Sequence, residues 1–128
     1  LSCGSNSGGD TWFGFRSTAC RVTFDTCSAT RTFDTVMEVY TGNCAGLVSV
    51  GCSDNACGSG SLVTVSGAVG TTYYVRVAGY NDSRGYFDVT VTEGSGTGGF
   101  TSFPTGCGGL TLASTGTGPN LGQTVGWQ

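Results

Sequence analysis

Seven cysteines and eight carboxylates are the residues of this chain with chemistry to offer, and two absences bound what they can do: the sequence has no histidine and no lysine. Without imidazole there is no Ser-His or Cys-His pair and no histidine metal ligand. Without lysine there is no Schiff base and no Lys–Asn isopeptide crosslink. The cysteines are Cys3, Cys20, Cys27, Cys44, Cys52, Cys57 and Cys107. None stands in the CxxC spacing that zinc sites use, so a disulfide framework formed in an oxidising compartment is the better reading. An odd count leaves one thiol free, shared with another chain, or paired with residues outside this sequence. Spacing does not fix the connectivity, but it disfavours Cys20–Cys27. The residues between them read as a strand, which would hold them about 23 Å apart, where a disulfide needs Cα atoms within about 7 Å. Cys44–Cys52 would brace a hairpin and Cys52–Cys57 would close a short loop; only one of these can form.

The carboxylates at Asp25, Asp34, Glu38 and Asp54 fall in no spacing that pairs two of them for acid–base work. No catalytic residue is assigned, and the chain is read as a non-enzyme. Calcium takes six to eight oxygens, several of them from carboxylates. Asp34, Asp54, Asn55 and Asp82 all stand beside expected turns. They are weak calcium candidates, because Asp and Asn in turns ordinarily bond to nearby backbone. No other cofactor is expected. Flat rings for stacking on a sugar or a peptide come from Trp12, Tyr40, Tyr74, Tyr80 and Tyr86, of which Trp12, Tyr74 and Tyr86 fall on the alternation phase opposite the apolar set. A net charge of −3 and a pI near 4.4 exclude a nucleic-acid partner, which needs a basic surface.

Strands must position these residues. No apolar set recurs at helical spacing for three turns, whereas short runs of Val, Thr, Tyr and Phe alternate in period two between Gly, Asn, Asp and Ser. The 128 residues hold 24 Gly, 20 Thr and 14 Ser, yet 38% are hydrophobic, too many for a disordered chain. Strands are expected near Thr11–Arg16, Arg21–Thr26, Thr35–Thr41, Leu47–Gly51, Ser61–Ser66, Thr72–Ala78 and Gly85–Thr92, the last two joined by a hairpin loop over 79–85. Alternation predicts Met37, Val39, Tyr73, Val75, Val77, Phe87, Val89 and Val91 as core, with Glu38, Tyr74, Arg76 and Asp88 opposite. The expected organisation is a β-sandwich over 1–93, a Gly/Ser/Thr-rich linker over 94–106, and over 107–128 a β-tail or the start of a second domain. In that tail Leu110–Ser114 alternates again, and a turn precedes Leu121–Trp127. The first residue is Leu and the pattern stops mid-strand at Gln128, which predicts a processed or excised piece of a longer protein. No apolar run is long enough to span a bilayer as a helix.

Five segments follow in order: Asp10-Thr11-Trp12-Phe13-Gly14-Phe15, Thr32-Phe33-Asp34-Thr35-Val36-Met37-Glu38-Val39-Tyr40-Thr41-Gly42, Val50-Gly51-Cys52-Ser53-Asp54-Asn55, Gly70-Thr71-Thr72-Tyr73-Tyr74-Val75-Arg76-Val77, and Gly85-Tyr86-Phe87-Asp88-Val89. Together they resemble the bacterial pre-peptidase C-terminal domain, in its cysteine-rich version from large secreted proteins, over about residues 10–92. The resemblance implies an all-β, antiparallel jelly-roll-like sandwich without catalytic activity, attached to secreted peptidases or surface proteins. Some relatives bind calcium or polymers such as collagen or polysaccharide. This chain departs from the family at Ser53-Asp54-Asn55, where relatives often carry an Asn-Asp-Asp type cluster. An amide in place of a carboxylate removes charge and predicts at most weak calcium affinity.

The expected function is therefore a structural or adhesive module of a bacterial secreted or cell-surface protein. Its expected partners are other domains of the parent protein or identical subunits, and an extracellular polysaccharide or collagen-like polymer. Two alternatives stand beside it: a self-assembling fibre subunit that lends its tail as an added strand, and a dedicated carbohydrate- or collagen-binding module.

Overall fold

A computed structural model describes residues 1–4 and 9–94 of the chain; Cys107, the linker past Gly94 and the tail 107–128 lie outside the described residues. The alternating runs form seven strands: β1 (Asp10–Arg16), β2 (Arg21–Asp25), β3 (Thr35–Asn43), β4 (Gly46–Asp54), β5 (Leu62–Ser66), β6 (Thr72–Gly79) and β7 (Thr90–Gly94). One 3-10 turn, Tyr80–Asp82, follows β6. The strands make two antiparallel sheets, in the orders β1-β6-β3-β4 and β5-β2-β7.

Between the sheets lies one core. Met37 and Val39 of β3 and Tyr73, Val75 and Val77 of β6 meet Val22 and Phe24 of β2 and Val63 and Val65 of β5. All nine are at most 5% exposed, and each stabilises the fold by roughly 1.5–3 kcal/mol relative to exposure. Phe24 sits edge-to-face against Phe15 at 5.8 Å and Tyr73 at 5.9 Å, the arrangement that ring quadrupoles favour. At one end a small polar knot is buried with it. Thr26 Oγ1 lies 2.7 Å from Thr35 Oγ1 and accepts the Ser61 N–H at 2.9 Å, while the Ser61 hydroxyl donates to the Thr35 carbonyl at 2.7 Å.

Six of the seven expected strands form within a few residues of their expected limits. The seventh does not begin at Gly85. Residues 85–89 cross from one sheet to the other, and the strand runs instead from Thr90 to Gly94, paired with β2. The segment 79–85 is thus a crossover between sheets rather than a hairpin loop. Local bonds explain this: Tyr86 exchanges backbone bonds with Thr32, donating to its Oγ1 and accepting from its N–H. The Phe87 ring also fits edge-on against both Phe13 and Phe33. Phe87 and Val89 do pack on the core, but Val91 is 38% exposed because β7 is an edge strand.

Neither expected alternative for Cys52 forms. Cys52 pairs with Cys3, and Cys57 pairs with Cys27. Cys20 is disulfide-bonded as well, and Cys44, exposed in the β3–β4 turn, is a free thiol. The first bridge follows from the register. Cys52 stands opposite Glu38 on the outer face of the four-stranded sheet, and residues 1–4 run across that face. A Cβ added at Gly4 would lie 2.8 Å from Val36 and 3.0 Å from Asp54. Among the described residues no helix is long and apolar enough to cross a membrane, and the disulfides are compatible with an extracellular location.

Candidate functional site

The outer face of the four-stranded sheet carries a cluster of interacting polar and aromatic side chains. Register places Asp10, Trp12, Gly14 and Arg16 of β1 beside Ala78, Arg76, Tyr74 and Thr72 of β6, and Val36, Glu38 and Tyr40 of β3 on the other side of β6. Two halves result. Over β3 and β4 the N-terminal segment covers the sheet, so that Val36 and Glu38 face outward yet are buried. Over β1 and β6 the face is open.

Glu38 is where the two halves meet. Alternation assigns it to the outer face, correctly, but not to solvent: it is 2% exposed. Ser2 donates its N–H to Oε2 at 2.8 Å and its hydroxyl to Oε1 at 2.7 Å, and the Ser49 hydroxyl donates to Oε1 at 2.6 Å. Burial pushes the carboxyl up, but the bonds from Ser49, Ser2 and Tyr40 together outweigh it and hold the pKa at about 2. Tyr40 is pushed above its ordinary value by burial and by its bond to Glu38. Arg76, lowered by burial, is raised on balance by hydrogen bonds to Tyr40 and Asp10.

The open half is a platform of rings. Trp12 is 45% exposed and stacks on Tyr40 with centroids 5.5 Å apart and planes 29° from parallel. The Arg76 guanidinium lies 5.6 Å from the centre of the Trp12 ring, within cation–π range. Tyr74, half-buried, stands opposite Gly14, and a Cβ on Gly14 would meet nothing within 4 Å. Space is therefore open beside the Tyr74 ring. Of the expected ring residues, Trp12 and Tyr74 share this face. Tyr86, 80% exposed, belongs to the crossover between sheets and has no ring contact with Trp12. Tyr40 and Arg76 complete the platform. Tyr40 is among the expected rings; Arg76 is not singled out as a site residue by the sequence, although alternation sets it opposite the core row with Tyr74.

The four calcium candidates divide differently. Asp34, just before β3, and Asp54, at the end of β4, come close enough that burial and the Asp34 charge together push the Asp54 carboxyl up. Each has one buried carboxylate oxygen, Oδ1, without a hydrogen-bond partner. Asn55 follows Asp54 with φ of +68°, and Asp82 lies in the 3-10 turn whose first N–H, that of Tyr80, donates to the Asp34 carbonyl. Among the described residues no three His, Cys, Asp or Glu side chains converge on one point, so carboxylates alone supply two ligands.

The chain matches no family model, no curated protein and no solved structure.

Proposed function

We propose that this chain is an extracellular, non-catalytic module of the pre-peptidase C-terminal type, with jelly-roll-like topology, from a bacterial secreted or cell-surface protein. Its work is adhesive: it docks its parent onto an extracellular polysaccharide. The observation that carries this reading is the open ring platform, Trp12 on Tyr40 with Arg76 above and Tyr74 beside. Exposed rings on a rigid strand face suit the C–H faces of sugar rings, and Arg76, Asp10 and Tyr40 lie within reach of hydroxyls. The disulfides support the same reading, because a braced sheet holds the rings in place outside the cell.

Pull-down on a panel of insoluble polysaccharides tests it, with a collagen matrix alongside. Retention of the protein on polysaccharide, lost at least about tenfold in Trp12→Ala with the melting temperature nearly unchanged, is the expected result. Retention on collagen alone reassigns the platform to a peptide polymer. Equal retention of protein and variant removes the platform from the function.

A further inference from the structure

The sandwich is closed along one side and open along the other. On the β4/β5 side the edge strands meet: the Leu62 N–H donates to Ser53 Oγ at 3.0 Å, and a Cβ on Gly51 would lie 2.5 Å from Val63. On the opposite side β1 and β7 are both edge strands, and no strand among the described residues pairs with their outer edges. Core-facing side chains show at this seam. Phe13, in register with Val75, is 39% exposed, and Val91, in register with Phe24, is 38% exposed. Paired positions share a face, so both rows point into the sandwich and are left uncovered at its margin.

One corner of this seam holds a covalent clue. Gly94 ends β7 opposite Arg21, and the neighbouring Glu93 carboxylate accepts from the Thr18 and Ala19 N–H groups and the Thr18 hydroxyl. The next residue of that loop, Cys20, is 3% exposed and disulfide-bonded. Cys3–Cys52 and Cys27–Cys57 use four of the other cysteines, and Cys44 is free. The one cysteine left in the sequence is Cys107.

We propose that the segment 107–128 of the same chain, tethered by a Cys20–Cys107 disulfide, docks along the β1/β7 seam and covers Phe13 and Val91. The segment has the chemistry for it. Leu110 and Leu112 alternate with Thr111 and Ala113, and Leu121, Val125 and Trp127 follow a Gly/Pro turn. One alternating face suits the apolar seam, and its backbone suits the free edges of β1 and β7. Formation of the tether passes two protons and two electrons from the Cys20 and Cys107 thiols to a disulfide donor, which leaves as two thiols. The reading does not depend on the ring platform, which lies on the outer face.

Two measurements on the full chain test it. A non-reducing peptide map is expected to join the Cys20 and Cys107 peptides and to leave Cys44 alkylated; an alkylated Cys107, or Cys107 joined to another chain, overturns the tether. Hydrogen exchange is then compared between the protein and the double variant Leu110→Asp, Leu112→Asp, both checked for strand content and for mass in solution. Protection of β1 and β7 amides is expected to fall at least about tenfold in the variant, with the core strands β3 and β6 unchanged. Unchanged protection overturns the docking, and so does protection lost on diluting an oligomer to monomer, which would assign the seam to a second copy.

Discussion

Replacing Glu38 by Gln tests the link between the N-terminal segment and the sheet it covers. The carboxylate is held at about 2 against an ordinary 4.5. At about 1.4 kcal/mol per pKa unit, the ionised form stabilises the fold by about 3 kcal/mol. The sign follows from the direction of the shift. A lowered folded-state pKa gives stability that is complete above the unfolded value of 4.5 and is lost as pH falls toward 2. Between pH 6.5 and pH 3 the loss is about 2 kcal/mol. Urea unfolding of the protein and of Glu38→Gln at both pH values reads it directly, because taking the difference between the two proteins cancels the titration of every other carboxylate. The gap between them should shrink by about 2 kcal/mol on going to pH 3. A gap equal at both pH values would refute the coupling of the Glu38 charge to its Ser2 and Ser49 partners.

Four further outcomes follow from the same geometry. Reduction opens loops of 49 and 30 residues, each stabilising the fold by about 4 kcal/mol on chain-entropy grounds; the melting temperature should fall by well over about ten degrees, and an unchanged curve with all thiols counted contradicts the scaffold. Asp54→Asn removes a carboxylate that burial and Asp34 disfavour, so it should raise the melting temperature near pH 7 and do nothing at pH 2. Calcium should bind the unaltered protein weakly at most, and submicromolar affinity by calorimetry would show oxygens beyond these two carboxylates. Thr26→Val strips the Ser61 N–H and the Thr35 hydroxyl of a buried partner and should cost about 1–3 kcal/mol by chemical denaturation.

Alternation was a sound guide wherever a strand has neighbours on both sides. In β3 and β6 the row Met37, Val39, Tyr73, Val75, Val77 is buried as the period of two requires, because a register slip would turn the whole row to solvent. It misled at 85–92, where Phe87 and Val89 keep the period but the backbone bonds go to Thr32 and not to a strand. Period alone cannot tell a strand from an extended crossover whose apolar residues also reach the core. The polar knot of Thr26, Thr35 and Ser61 was illegible for another reason. Each residue is ordinary in its own strand or loop, and only the meeting of three chain segments makes them partners. Cysteine spacing excluded little, since Cys3–Cys52 depends on residues 1–4 crossing a sheet face, which no local pattern encodes.

The outer face shows where sequence reading stops and geometry takes over. Alternation assigns Val36, Glu38, Tyr40, Trp12, Tyr74 and Arg76 to one face, but not which of them are covered. The N-terminal segment, fixed by Cys3–Cys52, buries the half around Val36 and Glu38 and leaves the half around Trp12 and Tyr74 open. Arg76 donates to Asp10 on the open half, while Ser2 and Ser49 donate to Glu38 on the covered half. Glu38, which anchors the N-terminal segment, stands two residues from Tyr40 on the same face of β3, and its charge acts on Tyr40, on which Trp12 stacks. Ser2→Ala should therefore disturb Glu38 and, through it, its neighbour Tyr40 without touching a single ring, whereas a change at Arg16, on the same face but away from Glu38, should not.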